Sequence, residues 1–347
     1  MIDLLVAGGG PAGLATAVHA ALAGMEVVVI EPRTAPVDKA CGEGIMPSGV
    51  RALAALGVDL AGDGHPLRGI RYVDGWHRAE APFRTGTGLG VRRTVLHAAL
   101  SWRAAELGVK VVSGRVGEVR QSADSVTAAG LRARWLVAAD GLHSPVRHAL
   151  GLNLPVARAR RFGLRRHYRM RPWTDCVEVH WSAAGSADGA TRGEVYVTPV
   201  GAELTGVAVL STARRGFDAH LAGFPRLAAL LDGPPATAVR GAGPLRQRAR
   251  RRCAGRVLLV GDAAGYVDAL TGEGIALALA SAEAAVRCLR GGRPQVYEGE
   301  WRRLSRRHRL LTEALVRAGG RTSAARLIVP AAARLPSVFA AAVHALE

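Results

Sequence analysis

Ile2-Asp3-Leu4-Leu5-Val6-Ala7-Gly8-Gly9-Gly10-Pro11-Ala12-Gly13 is the stretch on which the fold turns. Its first six residues form an apolar run with the branched content of a strand buried on both faces. Three glycines break that run, and Leu14 to Ala23 is rich in helix formers. Glu26-Val27-Val28-Val29-Ile30-Glu31 follows as a second apolar strand. Strand, glycine turn, helix and strand within about 30 residues make a βαβ unit. In Gly8-x-Gly10-x-x-Gly13, the first glycine permits the tight turn, the second admits a pyrophosphate against the backbone, and the third lets helix and strand pack closely. The helix start then offers free N–H groups and partial positive charge to phosphate. Glu31 ends the second strand, 18 residues after Gly13. A carboxylate there accepts both ribose hydroxyls of an adenosine and repels a 2′-phosphate, so the pattern predicts FAD or NAD rather than NADP.

Two later segments converge on the same ligand. Ala139-Asp140-Gly141-Leu142-His143-Ser144-Pro145-Val146-Arg147 closes a strand; an Asp-Gly pair is also an ordinary turn. Gly261-Asp262-Ala263-Ala264-Gly265 directly follows the buried-strand pattern Val257-Leu258-Leu259-Val260, and Leu270-Thr271-Gly272-Glu273-Gly274-Ile275 leads into an alanine-rich helix over Gly274 to Arg290. An Asp at the end of a buried strand suits a ribityl chain, and the helix start beyond it suits negative charge on a reduced ring.

Between these landmarks the chain predicts a helix over Leu96 to Leu107 and strands near Lys110-Ser113, Val116-Val119 and Leu136-Ala139. After residue 152 the pattern changes. Phe162-Met170, Cys176-Trp181, Glu194-Thr198 and Thr205-Leu210 alternate apolar and polar residues between turn-rich segments, the mark of an antiparallel sheet. The expected class is α/β. A Rossmann-like dinucleotide domain (1–152 and 251–293) is interrupted by a mainly antiparallel substrate region (153–250) and followed by a helical segment (294–347).

With these motifs in this order, the sequence resembles the flavoprotein superfamily of aromatic-ring hydroxylases, flavin-dependent halogenases and geranylgeranyl reductases, over nearly its whole length. The resemblance implies noncovalent FAD beneath an antiparallel substrate sheet, with NADH or NADPH as reductant. It places Gly8, Gly10, Ala12, Gly13, Glu31 and Arg33 at the adenosine and pyrophosphate, Arg93 near the FAD, Asp140 in a motif tied to both FAD and pyridine nucleotide, Asp262 at the ribityl and pyrophosphate region, and Gly272, Gly274 and Ile275 along the flavin ring. Lys39-Ala40-Cys41-Gly42-Glu43-Gly44 looks like the Lys-x-Cys-Gly loop of the reductase branch, in which Cys41 and Gly42 meet the isoalloxazine. Lys39 and the helix starts would supply the electropositive setting that a reactive thiol needs.

Tyr196-Val197-Thr198-Pro199 keeps the tyrosine and proline of the reductase substrate strand but lacks its other aromatics. It also lacks the tryptophans of the halogenase strand. Hydroxylation of a phenolic or polyketide-type compound is therefore the expected reaction, and prenyl-lipid reduction the alternative. A hydroxylase gains from a base that deprotonates the phenol, and His167 or His180 has the right chemistry for one. Tyr196 and Cys41 complete the catalytic candidates. The substrate is an aromatic or lipid-like small molecule.

Composition bounds the rest. Of 347 residues, 49% are hydrophobic and 21% charged, which excludes a disordered or collagen-like chain. Lys39 and Lys110 are the lysines among 46 basic residues, and the net charge is +18. Such an excess points to nucleic acid, an anionic membrane or an anionic small molecule, unless compositional bias supplies it. No aromatic-interleaved basic stretch or helix-turn-helix pattern supports nucleic acid. The runs Arg246 to Arg256 and Arg302 to Arg309 read as solvated surface, with steering of an anionic nicotinamide nucleotide or membrane contact as alternatives. Cys41, Cys176, Cys253 and Cys288 form no Cys-x-x-Cys pair, so neither a metal site nor a disulfide framework is expected. Without a signal-peptide layout or a charge-free run of about 18 apolar residues, the sequence predicts a cytoplasmic protein with no membrane span.

Overall fold

The structure, a computed structural model, describes residues 1–156, 160–181, 193–320 and 322–347. Its first sheet runs in the order Cys253–Ala254, Val257–Leu259, Leu131–Ala138, Ile2–Ala7, Val27–Glu31, Lys110–Ser113. Along this order all neighbours are parallel except the first pair, and Val119–Gln121 and Val126–Ala128 add an antiparallel hairpin beside Leu131–Ala138. Leu4, Leu5, Val6 and Ala7 are fully buried because this central strand has sheet on both edges and helices on its faces. The glycine-started helix Pro11–Leu22 packs against both Arg93–Glu106 and Gly274–Arg290.

The second sheet has the order Arg240–Ala242, Phe162–Arg169, Leu204–Ser211, Gly193–Gly201, Cys176–Trp181, Gly69–Val73, Arg78–Pro82. The expected strands are all present, and two more join from the first third of the chain. Cys176–Trp181 pairs with Gly69–Val73 in parallel, a pairing between segments a hundred residues apart that no local pattern announces. A third, small sheet of Gly44–Ile45, Gly88–Gly90 and His65–Leu67 ties the cysteine loop to the second sheet. There a side chain on Gly90 would collide with the Pro199 carbonyl oxygen, 1.7 Å from its Cβ position.

The second sheet has two faces. Val177, Val179, Trp181, Tyr196 and Leu210 point to one, which we call the front; it packs under the C-terminal helices Thr322–Arg334 and Pro336–His344. Tyr168, Val195, Val197, Val207 and Val209 point to the back, beneath the short helices Phe217–Leu221 and Pro225–Leu230. Two local expectations move. The strand predicted at Val116-Val119 begins at Val119 and runs to Gln121, leaving Val116 buried in a loop. The helix predicted from Leu96 begins at Arg93, at its first turn.

No single described helix is long and apolar enough to cross a membrane. Ala324–Arg334 and Pro336–His344 reach that hydropathy only as a pair and are bent by 99°.

Candidate functional site

The glycine turn builds a cradle around its own backbone. A Cβ on Gly13 would sit 1.8 Å from the Gly8 carbonyl oxygen, and one on Gly8, whose φ is +102°, would strike the Ala139 carbonyl. Gly10 caps the helix Pro11–Leu22 with no side chain bonded across its end, so the first N–H groups face open space. Glu31 accepts the Gly9 N–H at 2.7 Å and the Arg33 Nε at 2.7 Å. Burial opposes ionisation of Glu31, but these hydrogen bonds outweigh it and hold the carboxyl below its usual range.

Because its helix starts early, Arg93 turns inward and is 8% exposed. Burial pulls its guanidinium pKa down, and one terminal nitrogen, Nη1, has no partner. The other, Nη2, lies 3.6 Å from the Cβ position of Gly10. An unpartnered buried cation at an uncapped helix start is the arrangement a pyrophosphate satisfies. Asp140 likewise accepts the Val146 N–H at 3.0 Å through Oδ2, while Oδ1 is buried without a partner and burial raises its pKa. Asp262 sits at the next turn, 3.8 Å from Lys39 Nζ. Arg147 donates to the carbonyls of Leu142, at 2.8 Å, and Ala263, at 2.9 Å. It therefore pins these two turns to each other and does not face the cradle.

A cavity of about 560 Å³ connects these groups. All the cofactor candidates from the sequence line it except Gly13, which packs behind the turn. Cys41 lines it too, with Sγ accepting the Glu43 N–H at 3.4 Å. The expected electropositive activation of Cys41 does not follow. Burial pushes the thiol pKa up against the opposing pull of Arg93, so the sulfur keeps its proton.

From the cysteine loop the cavity continues over the front of the second sheet, past Ile70, Tyr72, Val179 and Tyr196, to Phe339 and Val343 of the last helix. This half is apolar. The Tyr196 hydroxyl donates to the Leu270 carbonyl at 2.8 Å, and burial holds its pKa well above the usual value. The sequence grouped His167 and His180 as bases, and the structure separates them. His180 points to the back, 3.1 Å from Glu178, and does not line the cavity. His167 points to the front but is fully buried, with Nε2 2.5 Å from Glu43 Oε2. Arg165, which can only donate, lies 3.2 Å from His167 Nδ1, so Nδ1 accepts and Nε2 carries the proton given to Glu43. Neither histidine is a free base.

Glu43 is the residue the sequence reading left without a role. Its φ is +60°, rare for a side chain of this kind. One carboxylate oxygen accepts the Arg93 N–H at 2.8 Å and the other meets His167, joining the cysteine loop, the Arg93 helix and the substrate sheet. The repeated glycines around it were the only local signal. Tyr72, Phe339 and Val343 were also missed, since their segments carry no chemical motif.

Fold and cradle together define a flavoprotein oxidoreductase with FAD as cofactor. The chain belongs to the FAD binding domain family, whose model matches residues 1–178, within the superfamily of FAD-dependent monooxygenases and geranylgeranyl reductases. It is 30% identical to a menaquinone reductase of Mycolicibacterium smegmatis, over 88% of this chain and 80% of that protein. To a digeranylgeranylglycerophospholipid reductase of Methanothermobacter thermautotrophicus it is 27% identical, over 79% of this chain and 73% of the other. The structure of a flavin-dependent brominase superposes with a TM-score of 0.83, covering 99% of this chain and 93% of that one at 16% identity, a likeness of fold.

Proposed function

We propose that this chain is a reductase of prenylated lipids, adding two hydrogens across a carbon–carbon double bond, with NADH or NADPH as the source of electrons. The observation that carries this reading is the apolar cavity running from the FAD cradle between the front of the second sheet and the last helix. A phenol needs only a short pocket with a polar group at its hydroxyl; a long apolar channel suits an isoprenoid chain. The relatives named above as reductases agree with it, as does the Lys39 to Gly44 loop.

FAD held in this cradle would supply, in its reduced form, the hydride chemistry of the reaction, with NADH or NADPH restoring it. The chain's own residues do the rest. Arg93, the glycine turn and Glu31 hold the dinucleotide, and the front face aligns the prenyl chain while excluding water. Cys41, at the cavity wall with its thiol pKa raised by burial, would give its Sγ proton to the second carbon and regain one from solvent after product leaves. Glu43 and His167 hold the cysteine loop in place and transfer nothing.

Hydroxylation, the first expectation from sequence, would have neither His167 nor His180 free to serve as its base. The test offers both substrates. Holoenzyme given NADH or NADPH receives a prenylated naphthoquinone and a phenolic compound in parallel, with and without oxygen. A prenyl product heavier by two hydrogens, formed without oxygen, is expected. A phenolic product carrying one added oxygen would overturn the proposal and restore the hydroxylase.

A further inference from the structure

We propose that the outer face of the C-terminal helix pair is a docking surface for an anionic lipid bilayer. From Ala314 to Leu346 the sequence contains no Asp or Glu, while Arg317, Arg321, Arg326 and Arg334 fall within it. Of these, Arg317 pairs with Glu313 at 2.8 Å. Arg326 and Arg334 are exposed and have no carboxylate partner among the described residues.

Exposed apolar side chains run from one helix onto the next: Leu327 and Ala331 on the first, Leu335 at the bend, and Val338 and Ala341 on the second. The bend itself is tied by the Leu335 N–H to the Ala331 carbonyl at 2.9 Å and the Val338 N–H to the Leu335 carbonyl at 3.1 Å. Leu327 is 62% exposed, Leu335 55% and Val338 61%. The opposite side of the same helices is buried: Val329, Phe339 and Val343 pack on the front of the second sheet.

These helices therefore have two apolar sides, one turned to the cavity and one turned to solvent. Phe339 and Val343 line the cavity while Val338, one residue away, is bare. A bend of 99° and a pair of short helices exclude a straight span. An exposed apolar stripe flanked by unpaired arginines and free of acid is the pattern of a helix lying in the headgroup layer. Charge selects the occupant: a leaflet bearing anionic headgroups complements this face, whereas a second copy would bring the same arginines against each other. The inference stands without the reductase reading, which concerns what the cavity holds.

FAD-loaded protein is sedimented with vesicles of phosphatidylcholine alone and of phosphatidylcholine mixed with phosphatidylglycerol, with flavin absorbance reporting that each variant is folded. Wild type should pellet with the mixed vesicles and far less with phosphatidylcholine alone, the difference shrinking at high salt. Leu327→Asp with Val338→Asp should stay in the supernatant. Arg326→Gln with Arg334→Gln should weaken partitioning about 30-fold. Arg120→Gln with Arg132→Gln removes the same charge from the exposed hairpin edge of the first sheet and should change it less than about twofold. Wild type that ignores mixed vesicles overturns the proposal, as does an equal loss in both arginine pairs. A stable dimer that the Asp variant splits would make a second copy the occupant and also overturn it.

Discussion

Two Glu–His pairs sit on opposite faces of one sheet, and they differ in everything except composition. On the front, Glu43 is bound by His167 and by the Arg93 backbone, and Arg165 joins Asp38 beside it. Every member of that cluster touches the loop or helix that frames the cofactor. On the back, Glu178 holds His180 at 3.1 Å, Arg71 at 2.5 Å and the Trp173 indole N–H at 3.0 Å. None of these reaches the cavity. The lesson is that a histidine's chemistry in this fold is decided by strand parity and not by its neighbours in sequence. His167 couples the substrate sheet to the cysteine loop, while His180 hydrogen-bonds a buried carboxylate away from it.

The comparison breaks most readily at Glu178. Burial opposes its ionisation, but His180 and Arg71 overcome that and hold the pKa at about 2, against an ordinary 4.5. A depressed carboxylate contributes stability that is full above its unfolded pKa and is lost as pH falls towards the folded one. We expect about 3 kcal/mol of unfolding free energy to vanish between about pH 5 and pH 2. Glu178→Ala should lose a similar amount at neutral pH, because the Trp173 indole N–H and His180 lose their buried acceptor and Arg71 keeps only Glu80 as a carboxylate partner. Urea titration measures both, and the folded fraction should retain its flavin and its turnover.

Glu43→Gln tests the other side. With the cysteine loop displaced by a fraction of an ångström, we expect turnover to fall about 100-fold while stability changes far less. His167→Gln, which keeps a donor towards Glu43, should lower turnover far less than Glu43→Gln does. If Glu178→Gln lowered turnover as much as Glu43→Gln does, the distinction between the faces would be wrong.

Smaller effects sharpen the boundary. Arg93→Gln removes the buried cation at the glycine turn and should weaken FAD binding about 30-fold, some 2 kcal/mol, as read by flavin release on dilution. Tyr196→Phe removes one hydrogen bond to Leu270 and should cost about 1 kcal/mol of stability without moving the pH dependence of turnover. A change in that pH profile would give the phenol a role in proton transfer that its bonding to Leu270 argues against.

How much was legible in the chain follows the same division. The cradle was readable because its parts are contiguous: turn, helix start and carboxylate are fixed by local backbone geometry and a single βαβ unit. The four strands at Phe162, Cys176, Glu194 and Thr205 followed from such short-range patterns, whereas FAD in place of NAD came with the family resemblance. Alternation also says that His167 and Tyr168, as neighbours in a strand, lie on opposite faces. What it leaves open is which face meets the cofactor.

That choice rests on pairings between distant segments. Cys176–Trp181 aligns with Gly69–Val73, and the last helices close over the front of the sheet, which makes Val177, Val179 and Tyr196 cavity residues and sends His180 away. Glu43 gained its role in the same way, by meeting a strand 124 residues later. The sequence by itself determined the dinucleotide site, because a phosphate is bound by backbone atoms whose placement a few glycines dictate. The tertiary structure alone decided what faces that site, because one sheet offers two surfaces of similar chemistry and only the packing of the whole chain selects between them.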